Sequence, residues 1–255
     1  MLLQRALGVP RAYLLAHPEQ MLEAGQQAAY DAMLQRRLQG EPVAHILGER
    51  EFFGLSFKVT PATLIPRPDT ELLVELALQR IPPQGSFRVL DLGTGTGAIA
   101  LSIAHARPDA AVVAVDASET ALAVARENAR RIAIRNVSFV QSDWFAALGG
   151  QRFNLIVSNP PYIAAGDEHL SQGDVRFEPM SALASGLDGL DDIRRIIALA
   201  HGYLERSSWL MLEHGYDQAQ RVRDLLQRYG YSDVFSANDL AGVERVSGGI
   251  CLKIQ

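Results

Sequence analysis

The chain has 255 residues, 48% of them hydrophobic and 21% charged, enough for one α/β domain of ordinary size and a smaller attachment. A net charge near -5 supplies no general basic field, which argues against a bare nucleic-acid surface. The single cysteine, Cys251, excludes an internal disulfide framework and a multi-cysteine metal cluster, and its place in an apolar alternation reads as a packed strand residue.

The opening Met1 to Leu7 is too short and too soon interrupted for a signal peptide or a membrane span, and no later run approaches the roughly 20 apolar residues that a span requires. A cytoplasmic, soluble protein with no membrane partner is expected, with monomer as the default state. Residues 1–42 hold short helical patterns broken at Pro10, Pro18 and Gly40. Ala28, Ala29, Met33, Leu34 and Leu38 form an apolar stripe on the longest. This unit is too small for a deep core, so it is expected to dock on a partner. Residues 43–84 form a connecting unit. Val43, His45 to Leu47 and Phe52 to Val59 read as a hairpin, with the phenylalanines packed inside. Pro68, Asp69 or Thr70 then starts a helix with Leu72, Leu73, Leu76 and Ala77 on its apolar face. Pro82-Pro83-Gln84-Gly85 marks the entry to the main domain, residues 85–255.

From Phe87 onward buried strands alternate with helices. Strands are predicted at Val89-Leu90, Ala111 to Val115, Val137 to Val140, Phe153 to Val157, Trp209 to Leu212, Val234-Phe235 and Ile250 to Ile254. Helices are predicted at Ile99 to Ala106, Glu119 to Arg131 with Ser118 as cap, Ile193 to Leu204 and Gln218 to Tyr229. The pattern argues a mostly parallel sheet covered on both faces, with an antiparallel pair at its end.

Asp91-Leu92-Gly93-Thr94-Gly95-Thr96-Gly97 comes after the first of these strands and opens a helix, where unpaired backbone N–H groups can meet a carboxylate or phosphate. Alone, with Ala98, this loop also satisfies a relaxed dinucleotide fingerprint. The next strand ends in Asp116, a carboxylate suited to two ribose hydroxyls, and the third leads to Asp143 and Trp144, suited to an adenine amino group and ring. Asp91, just before the glycines, lies where it could sense the ammonium of an amino-acid ligand, directly or through water. A dehydrogenase gives no reason for that acid, nor for the rigid turn after the fourth strand.

That strand ends in Asn159-Pro160-Pro161-Tyr162, where two prolines forbid continuation and stiffen the turn. Asn159 Oδ1 and the Pro160 carbonyl can accept the two hydrogens of a planar –NH2 group, and Tyr162 can close one face of it. Such a clamp positions a poor nitrogen nucleophile for methyl transfer without a strong base. Glutamine amide, adenine N6 and cytosine N4 all present that group.

With these motifs the sequence resembles the bacterial HemK/PrmC protein-(glutamine-N5) methyltransferases. The likeness extends through His45-Ile46-Leu47-Gly48, Phe52-Phe53-Gly54, Ile65 to Glu71, Arg176 to Pro179 and Gly186 to Gly189. The resemblance implies a Rossmann-like, seven-stranded class I methyltransferase domain with a small N-terminal helical domain and a connecting β-hairpin. It implies S-adenosyl-L-methionine as methyl donor, S-adenosyl-L-homocysteine as product, no metal, and the glutamine of a Gly-Gly-Gln tripeptide in class-1 peptide chain release factors 1 and 2 as target. By the same likeness Gly93, Thr94, Gly95, Thr96 and Gly97 would meet the methionine part, Asp116 the ribose, and Asp143 and Trp144 the adenine. Asn159, Pro160, Pro161 and Tyr162 would receive the glutamine, Asn159 bordering the cofactor as well, and Arg67 would touch substrate or steady a loop over it. Glu71 reads as an ion-pair partner or loop anchor, with direct substrate contact the alternative, and Glu178 as a lid support; the six scattered histidines make no metal site, though His214 could face the surface near the cofactor mouth. A DNA amino-methyltransferase would need a target-recognition domain and basic contacts; the chain has only Lys58 and Lys253 as lysines. A noncatalytic cofactor-binding module is the remaining alternative.

Overall fold

The computed structural model describes residues 1–252. Four helices come first, α1 (Leu2–Leu7), α2 (Arg11–Ala16), α3 (Ala24–Leu38) and α4 (Val43–Leu47). Gly8 turns left-handed after α1, Pro10 enters α2, and the Gln26 side chain accepts from the Glu23 N–H to open α3. No residue of α1, α2 or α3 is buried, so these helices form a thin layer without a core of their own.

Residues 43–47, read from sequence as hairpin, are helical. Pro42 presets the backbone for a first turn, its carbonyl accepts from the Ile46 N–H, and Gly48 closes the turn in the left-handed region. The hairpin is β1 (Glu49–Phe52) and β2 (Leu55–Lys58). It is clasped to the main domain by buried Asn128, which bonds both backbone groups of Lys58 and the Thr96 carbonyl. Phe52 and Phe57 are buried as expected. A single 3-10 turn, Pro68–Thr70, leads into α5 (Glu71–Arg80).

The main sheet has seven strands, β3 (Phe87–Leu92), β4 (Ala110–Asp116), β5 (Val137–Gln141), β6 (Phe153–Ser158), β7 (Leu204–Glu213), β8 (Tyr231–Asn238) and β9 (Glu244–Cys251). Their order is β5-β4-β3-β6-β7-β9-β8, parallel from β5 through β7, with β9 antiparallel to both of its neighbours. Helices α6 (Ala98–Ala106), α7 (Glu119–Arg131), α8 (Asp191–Ala200) and α9 (Ala219–Arg228) cover the faces. Ser118 caps α7 through its hydroxyl, as its position predicts.

Several boundaries differ from expectation; β3 and β8 extend beyond the predicted Val89-Leu90 and Val234-Phe235 at both ends. The helix predicted to reach Leu204 stops at Ala200, and Leu204 begins β7, ahead of the predicted Trp209. The last strand, predicted over Ile250 to Ile254, runs from Glu244, and Lys253 and Ile254 lie outside the described residues. Its start escapes a hydrophobicity reading because Gly248 sits where a Cβ would meet the Leu210 carbonyl and the Phe235 ring.

Alternation along the strands divides the core into two layers. Val89, Val112, Ala114, Leu155 and Val157 face the hairpin, α5 and α6, whereas Leu90, Leu92, Val113, Val115 and Ile156 face the side packed by α8. Leu92 of β3 is level with Val115 of β4 and Ser158 of β6. The segments leaving these three strands are therefore gathered at one edge, on either side of the point where the strand order reverses.

Candidate active site

A cavity of about 410 Å³ opens at that edge, within the usual size of small-molecule sites. Its wall joins the glycine loop, Asp116, Asp143, Trp144, Asn159 and Pro161 with the 62–70 connecting segment and the 179–182 loop.

The glycine loop is folded back onto the sheet by two backbone bonds, from the Gly93 and Thr94 N–H groups to the Val115 carbonyl at 2.9 and 2.8 Å. Gly93 to Thr96 border the cavity and Gly97 does not. Gly97 instead has φ +83 at the start of α6, and a Cβ there would press on Leu101 and Ala125. That close packing of loop and helix keeps Gly97 off the wall, whereas the resemblance implies a cofactor contact for it.

Asp91 also departs from the direct contact considered for it. It is fully buried and absent from the wall, with Oδ2 accepting from the Thr94 hydroxyl at 2.6 Å and the Ala100 N–H at 3.2 Å. Oδ1 has no partner, and burial pushes the carboxyl up to about 7. Asp91 supports the loop from beneath because it shares the α6 face of β3 with Val89, where the Thr94 hydroxyl and the first turn of α6 reach it.

Asp116 stands on the wall as expected, its Oδ2 accepting from the Gly95 N–H and its Oδ1 from the Ser118 N–H, both at 2.9 Å. Each oxygen retains a further lone pair for a hydroxyl donor. Burial pushes its pKa above the ordinary aspartate value, countered by these backbone bonds. Asp143 and Trp144 also reach the wall. The Asp143 carboxylate is already held by Arg195 through two bonds of 2.9 and 2.7 Å, so an amino group there would share it with a guanidinium. The Trp144 indole N–H donates to Asp192 at 3.2 Å.

At the end of β6 the Ser158 hydroxyl donates to the Leu92 carbonyl at 2.7 Å and locks the strand end to the glycine-loop strand. Asn159 Nδ2 donates to Thr70 Oγ1 at 3.1 Å, while no described residue bonds Asn159 Oδ1 or the Pro160 carbonyl. Pro160 is itself buried behind the wall, and Pro161 faces it. Tyr162, expected to cover a planar target, is also behind the wall. Its ring packs on the core layer under α8, and its phenol donates to Glu213 Oε1 at 3.1 Å, because a buried acid offers that hydroxyl a partner. Burial first, and Glu213 next, push the phenol well above its ordinary value.

Arg67 lines the cavity and pairs with Glu178 Oε1 at 2.5 Å. Glu71 accepts from the Phe53 N–H at 2.8 Å, the loop anchor read from sequence. His214 is fully buried, bonded to the Gly215 carbonyl and the Ser247 hydroxyl, which corrects the surface position considered for it. Among the described residues no three His, Cys, Asp or Glu side chains gather as a metal site.

Two family models match the sequence, the PrmC N-terminal domain over residues 1–48 and the methyltransferase small domain over residues 69–175. The release factor glutamine methyltransferase of Salmonella typhimurium is 53% identical over 248 residues, covering 97% of this chain and 89% of that protein. The chain belongs to the release factor glutamine methyltransferase family. The members from Burkholderia pseudomallei and Escherichia coli are 54% and 50% identical, each over 97% of this chain and 89% of theirs. Among solved structures, a methyltransferase from Pyrococcus furiosus shares the fold with TM-score 0.59 at 20% identity, over 88% of this chain and 100% of that one. The human Mettl16 catalytic domain gives TM-score 0.64 at 17% identity, over 83% and 80%. These two speak for the class I methyltransferase fold alone.

For a glutamine methyltransferase, the site residues missed from sequence are Thr70, Asp192, Arg195 and Glu213. Thr70 was legible only as a helix start, and Glu213 only as an acid ending an apolar strand.

The site fits S-adenosyl-L-methionine on three counts. Asp116 keeps free lone pairs on the wall, Gly95 leaves its backbone open with no atom within 4 Å of a Cβ position, and the wall offers both apolar and polar groups.

Proposed function

We propose that this chain methylates the side-chain amide nitrogen of the glutamine in the Gly-Gly-Gln tripeptide of class-1 release factors 1 and 2. S-adenosyl-L-methionine would supply the methyl as an electrophilic sulfonium substituent and leave as S-adenosyl-L-homocysteine. The observation that carries the reading is Asn159 on the cavity wall, its Oδ1 bonded by no described residue, on a turn locked beside the glycine loop.

A primary amide nitrogen is a weak nucleophile because its lone pair is delocalised, so alignment must supply the rate. Asn159 Oδ1 would take one N–H and the Pro160 carbonyl the other, fixing the plane of the carboxamide. Asp116 would hold the ribose hydroxyls, and the Gly93 to Thr96 backbone the amino-acid end of the cofactor. Trp144 would border the adenine. Arg67, steadied by Glu178, would fix the mouth through which the tripeptide enters. The N-terminal helices would contact the factor away from the tripeptide. A cytoplasmic site of action is part of the same proposal, since the substrate works on the ribosome.

The test is incubation of purified release factor with the protein and methyl-labelled cofactor, followed by peptide mass analysis. One methyl on the tripeptide glutamine is expected, lost in Asn159→Ala with cofactor affinity retained. Label on DNA with none on the factor would reverse the assignment.

A further inference from the structure

The structure assigns Asp192 as the residue that sets the orientation of the Trp144 ring for the cofactor, a positioning residue that acts through the indole N–H. The inference rests on the cofactor placement proposed above, with Trp144 beside the adenine. Trp144 Nε1 donates to Asp192 Oδ1 at 3.2 Å, and both residues border the cavity. The other carboxylate oxygen, Oδ2, accepts from the Ser185 hydroxyl at 2.7 Å, and the Asp192 N–H donates back to Ser185 Oγ at 2.8 Å. Ser185 is buried, and its own N–H donates to the Ile163 carbonyl at 2.9 Å, just after the Asn-Pro-Pro-Tyr turn. The acceptor for the indole is therefore fixed from behind.

The backbone beneath Trp144 fixes where the ring starts, not how it turns. Its φ of +51 lies in the left-handed region that a large side chain seldom adopts, and the Ser142 hydroxyl holds it there by donating to the Trp144 carbonyl at 2.8 Å. The far edge of the ring lies beside Gly93, where a Cβ would come within 3.4 Å of Cζ3, while Nε1 at the opposite end meets Asp192. The indole thus spans from the glycine loop to the first turn of α8. Rotation of the ring would leave a half-buried N–H without its acceptor, so the bond selects one orientation. Arg195, three residues on and on the same side of α8, holds Asp143 through two bonds of 2.9 and 2.7 Å. One turn of α8 restrains both cofactor-facing side chains after β5. A flat ligand then meets a ring already oriented and need not order it on binding.

A double-mutant cycle on S-adenosyl-L-methionine binding tests this. Asp192→Ala should raise the Kd about tenfold, the scale of one lost bond to an acid. In a Trp144→Phe background, which keeps a ring and lacks the N–H, the same change should cost less than about twofold. Asp192→Asn, which still offers the indole an acceptor and Ser185 a donor, should recover most of the affinity. The chain has two tryptophans, Trp144 and Trp209, so the Trp144 indole N–H resonance of the ligand-free protein is assigned by its loss in Trp144→Phe. That resonance should move upfield in Asp192→Ala while the Trp209 resonance stays. Ser185 does not border the cavity, so Ser185→Ala should give the same movement with a smaller loss of affinity, and it decides the matter if Asp192→Ala is unstable. Native affinity in Asp192→Ala, or losses that add in the Trp144→Phe background, would overturn the inference. Native affinity in Trp144→Ala would take the ring out of the cofactor site and overturn it as well. Neither readout uses release factor, so a native enzyme that fails to methylate it would count against the proposed function alone.

Discussion

Arg67 Nη2 meets Glu178 Oε1 at 2.5 Å, and this one ion pair joins the connecting segment to the loop that supplies Pro179, Ser181 and Ala182 to the cavity wall. Glu178 has no exposed side-chain surface, while a third of the arginine side chain remains open. Burial pushes the Glu178 pKa upward and Arg67 opposes that rise. The two segments are held together over the mouth by a charge that cannot be left alone.

Arg67→Ala should therefore cost stability as well as activity. Removing one partner of a buried pair typically costs about 3 kcal/mol, whereas removing both is near neutral. Urea unfolding should show that loss in Arg67→Ala and most of it restored in Arg67→Ala/Glu178→Gln. Equal midpoints for the two variants would deny the pair its role.

Asp91 makes stability depend on pH in a direction opposite to most carboxylates. Its carboxyl is raised to about 7 in the folded protein, against 3.8 ordinarily. Between those values the folded chain binds the extra proton, so unfolding free energy falls as pH rises through the interval and the full penalty stands above about 7. Asp91→Asn removes that slope. Relative to the native chain, the variant should gain about 2–3 kcal/mol between pH 5 and pH 8, measured by urea unfolding at both. A constant difference would show that Asp91 is charged throughout.

Asp116 holds the Gly95 and Ser118 N–H groups and lines the cavity at once. Asp116→Ala should weaken S-adenosyl-L-methionine binding by about 30- to 100-fold, the scale of one or two lost charge-assisted bonds, by calorimetric titration. The KM for release factor should stay within about twofold. A larger effect on the factor than on the cofactor would move Asp116 out of the cofactor site.

Gly40 has φ +92, and a Cβ there would run into the Arg176 guanidinium. Arg176 donates to the Gln39 carbonyl and Arg37 pairs with Asp174 at 2.8 Å, which ties the N-terminal helices to the loop bordering the cavity. Gly40→Ala should loosen that tie and raise the KM for intact release factor several-fold, by about 1 kcal/mol. Cofactor affinity should not change. Native kinetics in the variant would show that the tie carries no part of substrate docking.

Strand ends and turns were legible because they carry punctuation. Asp116, Asn159 to Tyr162 and the glycine loop each come after an apolar run and break it. Buried parallel strands need such runs, and open sheets place ligands at their carboxyl ends. The start of β9 was not legible, since Ser247-Gly248-Gly249 substitutes small size for hydrophobicity under neighbouring strands. The short helix at 43–47 was not legible either, because five residues carry too little periodicity to separate it from a strand.

What the sequence determined by itself is the chemistry offered, a glycine loop, an acid after the second strand of the main sheet and a rigid Asn-Pro-Pro-Tyr turn, since each depends on local backbone rules. What only the tertiary structure decided is which groups remain available. Tyr162 is taken by Glu213, Asp143 by Arg195 and Asn159 Nδ2 by Thr70, from positions 51, 52 and 89 residues away. A side chain's vacancy is settled by the partners that packing brings to it, and chain-distant partners leave no mark on the residues beside it.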